Sequence, residues 1–258
     1  MRISLIIAAG GSGSRFKAGD SQRAAGRSKK PATKLFYPLG GIPLLLRTLL
    51  SFQAVPEVKE TIIALPSGVE REVKSWIRSH HLRHVICVRG GKTRADSVQR
   101  ALRRSSTRQP WVMIHDGARP FVKAAVVRDL VRHAQKKSWD ACLIAKKVVP
   151  TIKQTRLGET QVERTLDRSR LYEAETPQLF RRTSLLRAYQ MLPTFKEAPT
   201  DEAALMEAAD YCVHLWPSEL WNPKITTVSD FELAESFIRS HEGMINRVGF
   251  GSDTHRLL

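Results

Sequence analysis

The 258-residue sequence predicts an α/β protein: a mainly parallel sheet with helices on both faces and a projecting β-hairpin arm. Three observations carry this. Short continuous apolar runs recur along the chain, segments with helical spacing stand between them, and the first run passes directly into a glycine-rich turn. An apolar run without alternation is what a strand buried on both faces requires. Strand and helix in alternation imply βαβ crossovers, and in such sheets ligands gather at the carboxyl ends of the strands.

Taken in order, the first strand is read over Ile3 to Ala8, running into Gly10-Gly11-Ser12-Gly13-Ser14. Residues 17–33 carry small and basic side chains and no large apolar one, the composition of a mobile solvated loop. Leucine-rich Pro43 to Phe52 reads as a helix and Thr61 to Leu65 as a strand. Val69, Val73, Trp76 and Ile77 fall on one helical stripe. Then come a strand at His84 to Val88, a helix presenting Val98, Ala101 and Leu102, and strands at Trp111 to His115 and Asp140 to Ala145. Residues 148–166 place two β-prone runs about Leu157-Gly158, which predicts the hairpin arm. Beyond it, Thr200 before Asp201 and Glu202 starts a helix. Ser229 to Glu232 reads as a capping box, opening a helix with Phe231, Ala234 and Ile238 on one face.

The charge is +17, from 42 Lys plus Arg against 25 Asp plus Glu, and it is unevenly spread. Residues 1–156 hold 31 basic and 9 acidic side chains, whereas residues 157–258 hold 11 and 16. A polyanionic partner follows, either nucleic acid or a small substrate with several phosphates. A nucleic-acid binder would use the basic loop and Arg100, Arg103 and Arg104. The aromatic interleaving and binding motifs of such proteins are missing, so no specific nucleic acid is expected. Hydrophobic residues make up 42%, which excludes general disorder. No apolar run approaches the roughly 18 residues of a membrane span, so no membrane association is expected. Cys87, Cys142 and Cys212 form no CxxC pair, which fits a reducing cytoplasm rather than a disulfide framework.

The most informative local feature is Ala8-Ala9-Gly10-Gly11-Ser12-Gly13-Ser14-Arg15. It lacks the third glycine of GxGxxG and the Gly-Lys-Ser/Thr of a P-loop. Glycines after a first parallel strand still let backbone N–H groups approach an anion, and the planar fork of Arg15 suits phosphate oxygens. On these residues alone, phosphate binding and a plain tight turn stand side by side.

The string AAGGSGSR, followed by Lys34 in TKLFYPLGGIPLL, resembles the opening of nucleotidyltransferases that activate a phosphorylated polyol or sugar. GGKTRADSV (90–98), HDGARPF (115–121), TLDR (165–168), ETPQLF (175–180), TDEAALME (200–207) and NPKITT (222–227) follow. In this order they resemble the 2-C-methyl-D-erythritol 4-phosphate cytidylyltransferase family of the non-mevalonate isoprenoid pathway. The resemblance implies a Rossmann-like nucleotidyltransferase fold over residues 1–242. It implies transfer of CMP from CTP to 2-C-methyl-D-erythritol 4-phosphate, giving 4-diphosphocytidyl-2-C-methyl-D-erythritol and pyrophosphate, and the clustered phosphate charges of that chemistry ask for Mg²⁺ as cofactor. Ribitol 5-phosphate cytidylyltransferase is the alternative, since that family shares the fold and many motifs.

Residue by residue, the resemblance gives Arg15 and Lys34 the role of transition-state stabilisers beside the triphosphate. Ala8, Ala9, Gly10, Gly13, Gly90 and Ser97 match nucleotide contacts, although Ser97 also reads as an ordinary helix N-cap. Asp116 matches a contact to ribose or to a magnesium-bound water, with a turn-forming aspartate before Gly117 as the alternative. Arg119, Thr151, Arg168 and Lys224 match positions that hold the acceptor phosphate, and Arg168 and Lys224 are counted with Arg15 and Lys34 as catalytic. In the family the arm packs on a second subunit, so a homodimer is expected.

Residues 247–257, RVGFGSDTHRL, resemble the start of 2-C-methyl-D-erythritol 2,4-cyclodiphosphate synthase, and define a segment 243–258 after the transferase domain. Asp253 and His255 occupy a zinc-ligand pair there. The sequence stops before a further ligand, so neither cyclase activity nor an occupied zinc site is expected.

Overall fold

The computed structural model describes residues 1–10, 33–195 and 199–242. Expectations for Gly13, Arg15, the basic loop before Thr33, Asp253 and His255 lie outside the described residues.

The strands, in chain order, are β1 (Ile3–Ala8), the short pair β2 (Pro38–Leu39) and β3 (Ile42–Pro43), β4 (Val58–Leu65), β5 (Val85–Arg89), β6 (Trp111–Asp116), β7 (Ala141–Lys147), β8 (Lys153–Thr155), β9 (Val162–Thr165), β10 (Tyr172–Arg181) and β11 (Val213–Pro217). Seven of them form one sheet in the order β11-β7-β10-β6-β1-β4-β5. β1 lies parallel between β4 and β6, β4 is parallel to β5, and β11 is parallel to β7. β10 runs antiparallel between β6 and β7.

The apolar runs do what their composition predicts. In β1, Ile3, Leu5 and Ile7 enter one core and Ile6 enters the other, all with 0% exposure. Helices α1 (Leu44–Ser51), α2 (Glu70–Ser79), α4 (Ala124–Lys136) and α7 (Val228–Glu242) cover the first face. Helices α3 (Arg94–Arg104), α5 (Arg182–Met191) and α6 (Glu202–Ala208) cover the second. Continuous burial on both faces is the setting in which unbroken Ile/Leu/Val runs are stable.

The arm forms as a hairpin. β8 and β9 pair antiparallel, Lys153 opposite Thr165 and Gln154 opposite Arg164, and Gly158 at φ +80° supplies a left-handed turn residue.

Three local readings change. β10 goes unread in the sequence because Pro177 interrupts it; a register shift between Ala174 and Gln178 absorbs the irregular stretch Glu175 to Pro177. The cap of α3 is Thr93, in a reciprocal box with Asp96, which removes the N-cap alternative for Ser97. The start of α7 is set two residues ahead of Ser229: Thr227 Oγ1 accepts from Asp230 N at 3.1 Å, and Asp230 Oδ2 accepts from Thr227 N at 2.8 Å.

Candidate active site

Two glycine turns meet at the carboxyl end of the sheet. Ala9 N donates to Ala64 O at 3.0 Å, Gly90 N to Leu65 O at 2.7 Å, and Gly117 N to Ala8 O at 3.0 Å, so the exits of β1, β4, β5 and β6 are laced together. A Cβ on Gly10 would stand 2.9 Å from Ser97 Oγ, and one on Gly90 would stand 3.2 Å from the Gly10 Cα. Only glycine permits that approach. Ser97 Oγ donates to Thr93 O and accepts from Gly91 N, each at 2.9 Å, which pins the second turn to the first turn of α3. Ala8, Ala9, Gly10, Gly90 and Ser97 are thus brought together at one place.

Asp116, at the end of β6, is the centre of the charge. Its Oδ1 lies 3.3 Å from Arg94 Nε; its Oδ2 lies 2.9 Å from Lys224 Nζ and 3.7 Å from Arg119 Nε. Burial alone would raise its pKa, but Arg94, Lys224 and Arg119 outweigh it and hold the carboxyl well below the usual range. A residue enclosed by three cations is not a mere turn-former, so that alternative is removed.

Arg119 is buried, at 6% exposure, and is fixed from behind. Its Nη1 donates to Asn222 O at 2.8 Å and stands 3.7 Å from Glu175 Oε1. Asn222 Nδ2 in turn donates to Thr176 O at 2.9 Å and Glu175 Oε2 at 3.3 Å. Both Glu175 and Thr176 come from the irregular stretch of β10. Behind them His115, fully buried, faces Arg119 O at 2.9 Å through Nε2 and Thr176 Oγ1 at 3.0 Å through Nδ1. A carbonyl only accepts, so Nε2 carries the proton and Nδ1 accepts from the threonine hydroxyl. Burial pushes the imidazole down to about 4, leaving it neutral near pH 7.

Lys34 reaches the same place from the other end of the chain: its Nζ donates to Ile225 O at 2.7 Å, one residue beyond Lys224. Arg168 and Thr151 stand apart. Arg168 Nη1 donates to Val149 O at the base of the arm, Thr151 is exposed, and no hydrogen bond or ion pair between described residues joins either to Asp116, Arg119 or Lys224. Within one chain the four residues matched to the acceptor therefore divide, Arg119 with Lys224 in the body, Thr151 on the arm and Arg168 just beyond the arm, bonded to its base.

The donor set does not fit a protein-held metal. Both Asp116 oxygens are already met by cations, and among the described residues no group of three or more His, Cys, Asp or Glu side chains could hold a metal ion.

Several participants were hidden inside the recognised strings. Arg94 bridges Asp116 and Glu202, the latter at 2.5 Å, and Glu175 and Asn222 set Arg119. The only signal for Glu202 and Glu175 was an acidic residue in a segment apolar enough to be buried, which calls for a cation partner.

The family model of 2-C-methyl-D-erythritol 4-phosphate cytidylyltransferase (IspD) matches residues 3–240. A relative of that name from Solibacter usitatus is 35% identical over 93% of this chain and 96% of its own. One from Syntrophus aciditrophicus is 31% identical over 95% and 99%. A Desulfotalea psychrophila relative named bifunctional enzyme IspD/IspF is 31% identical over 98% of this chain and 62% of its own length. Among solved structures, 4-diphosphocytidyl-2C-methyl-D-erythritol synthase from Anaerococcus prevotii is similar at a TM-score of 0.76, with 26% identity over 92% of this chain and 98% of that one. The Thermus thermophilus cytidylyltransferase is similar at 0.71, with 28% identity over 93% and 100%. The chain belongs to the 2-C-methyl-D-erythritol 4-phosphate cytidylyltransferase family.

Proposed function

We propose that the cluster around Asp116 is where CTP and 2-C-methyl-D-erythritol 4-phosphate meet. The activity of the family is CMP transfer to that acceptor, in the synthesis of isoprenoid precursors. A phosphate oxygen of the acceptor bonds to the α-phosphorus of CTP, the bond from that phosphorus to the bridging oxygen breaks, and pyrophosphate leaves with the electron pair. Because the acceptor phosphate is itself the nucleophile, such a step needs alignment and positive charge from the protein rather than a side-chain acid or nucleophile. The observation that carries the reading is the arrival of Lys34 and Lys224, from opposite ends of the sequence, on one loop beside Asp116.

In this reading the turns at Gly10 and Gly90 cradle CTP, Lys34 together with Arg15 stabilises the triphosphate, and Lys224 and Arg119 hold the acceptor phosphate. Magnesium enters on the phosphates of CTP, as part of the substrate. Thr151 and Arg168 serve the site of a second subunit. Support for a homodimer lies in the arm, where Val149, Leu157 and Val162 leave 70%, 105% and 51% of their surface exposed. Among the described residues no helix is long and apolar enough to cross a membrane, and Cys87, Cys142 and Cys212 are free thiols, which supports a cytoplasmic setting. Residues 243–258 begin a cyclodiphosphate-synthase-like segment, a reading supported by the bifunctional relative that aligns over 98% of this chain.

Incubation with Mg²⁺, CTP and either 2-C-methyl-D-erythritol 4-phosphate or ribitol 5-phosphate, measuring pyrophosphate, tests the core of this. Release is expected with the first acceptor. Its absence, or a preference for ribitol phosphate, overturns the reading.

A further inference from the structure

Glu202 is the first residue of α6 and is only 1% exposed, yet neither of its oxygens is idle. Oε2 accepts from Arg94 Nη1 at 2.5 Å and Oε1 accepts from Tyr189 OH, on α5, at 3.0 Å. A carboxylate this deep persists only when paired and hydrogen-bonded, and here both conditions are met by two named groups. Burial and the Glu202 charge hold the Tyr189 hydroxyl in its protonated, donating form.

The consequence falls on Arg94. It is held at two points, Nη1 on Glu202 and Nε on Asp116 at 3.3 Å, and its side chain keeps 27% exposure. Its remaining terminal nitrogen, Nη2, makes no hydrogen bond among the described residues. Arg94 is also the first residue of α3, so it stands directly after the Gly90 turn that Ser97 pins. A guanidinium clamped on one edge presents its other edge in a fixed direction, which a lysine at the same place would not do. Without the Glu202 charge, Asp116 would be the remaining counter-ion for Arg94. The guanidinium would then settle on the carboxylate that Lys224 also uses.

We propose that Glu202, keyed by the Tyr189 hydroxyl, is a positioning residue for the nucleotide: it holds Arg94 so that the Nη2 edge meets an acceptor oxygen of CTP. This rests on the reading that CTP lies against the Gly10 and Gly90 turns. It assigns a role in CTP affinity to two residues that lie behind the site.

The test is steady-state kinetics and calorimetric CTP titration on the full chain and its variants, with thermal midpoints recorded alongside. Glu202→Gln is expected to raise KM for CTP about tenfold, the scale of one charge-assisted hydrogen bond, with KM for the acceptor changed less than about twofold. Tyr189→Phe removes a single hydroxyl, keeps the carboxylate, and is expected to give the same pattern at about threefold. In an Arg94→Gln background, adding Glu202→Gln is expected to change KM for CTP no further. Unchanged CTP affinity in both Glu202→Gln and Tyr189→Phe overturns the proposal, and so does an additive loss in the double variant, which would mark a purely structural pair. If the unaltered chain releases no pyrophosphate, the functional reading fails on its own account. The calorimetric comparison of CTP binding then still decides the role of Glu202.

Discussion

Lys224 Nζ stands 2.9 Å from Asp116 Oδ2, and the carbonyl of the next residue, Ile225, accepts from Lys34 Nζ at 2.7 Å. Two cations are thus tied to one stretch of chain, Lys224 through its own side chain and Lys34 through the Ile225 carbonyl. The two ends of the Lys224 to Asp116 pair are not equivalent. Asp116 is buried and keeps Arg94 and Arg119 when Lys224 is lost, whereas loss of its charge leaves Lys224 with no ion pair among the described residues and Arg94 and Arg119 with Glu202 and Glu175 alone. Lys224→Met is therefore expected to fold normally and to lose about 10²-fold in kcat/KM. Asp116→Asn is expected to lose activity and also about 3 kcal/mol or more of stability. Urea unfolding and pyrophosphate release on both variants check this; equal stability loss in the two would show that the pair, not the buried carboxylate, holds the fold.

His115 gives the fold a dependence on pH with a defined window. Its folded pKa is lowered to about 4, by burial first, against about 6.5 for the unfolded chain. Between these values the unfolded chain binds the proton and the folded chain does not, so stability falls as pH drops through the interval. The loss amounts to about 3 kcal/mol, complete near pH 4. Asp116 is depressed as well, but its contribution is lost only as pH falls below about 3.9, its unfolded value, so the two effects separate. His115→Gln removes the titrating group while leaving a donor for Arg119 O. Its stability is expected to be flatter from pH 6.5 to 4 than that of the unaltered chain.

Close approach of the two glycine turns predicts an asymmetry between them. The nearest atom to a Cβ is the Ser97 hydroxyl at both positions, 2.9 Å from Gly10 and 3.1 Å from Gly90, but a Cβ on Gly90 also meets two backbone atoms at 3.2 Å, Gly10 Cα and Leu65 O. Overpacking of this kind costs roughly 1–3 kcal/mol, which amounts to about fivefold to about 150-fold in affinity where it falls on the binding arrangement. Both Gly10→Ala and Gly90→Ala are expected to weaken CTP binding measured by calorimetry. In a Ser97→Ala background the cost of Gly10→Ala should fall by more than that of Gly90→Ala, because the two backbone atoms against Gly90 cannot step aside.

What the sequence made legible follows from how local each signal is. β1, β4, β6 and β7 could be read because each is an apolar run buried on two faces, and burial writes itself into every residue of such a strand. β10 could not. Its Glu175-Thr176-Pro177 stretch breaks the pattern, and that same break delivers Glu175 and Thr176 to Arg119 and His115. The local conflict marks the site. β11, half-buried at the sheet edge, carries too weak a pattern. The same division holds among the charges. Lys34, Asp116 and Lys224 stand in strings whose order identifies the family, but nothing local tells that Arg94 meets Glu202, 108 residues away. Long-range pairing of buried charge is a property of the fold, and only the general rule that such charge must be paired pointed toward it.

The division of the acceptor set between body and arm makes a prediction that one subunit alone cannot satisfy. Lys224 belongs to the Asp116 cluster, while Arg168 is tied to Val149 on the arm. If the arm serves a second subunit, each site takes its Lys224 from one chain and its Arg168 from the other. The unaltered protein should then sediment at twice its 29.1 kDa chain mass. Lys224→Met and Arg168→Ala should each be impaired as pure homodimers at low acceptor concentration. Unfolded together and refolded as a mixture, they form hybrid dimers in which one of the two sites has both cations. Statistical mixing then restores about one quarter of the unaltered turnover. If Arg168 acts within its own chain, every site in the hybrid lacks one cation and the mixture is no better than its parts. Val149→Asp, which places a charge on the exposed apolar surface of the arm, should lower both the sedimenting mass and the recovered activity together.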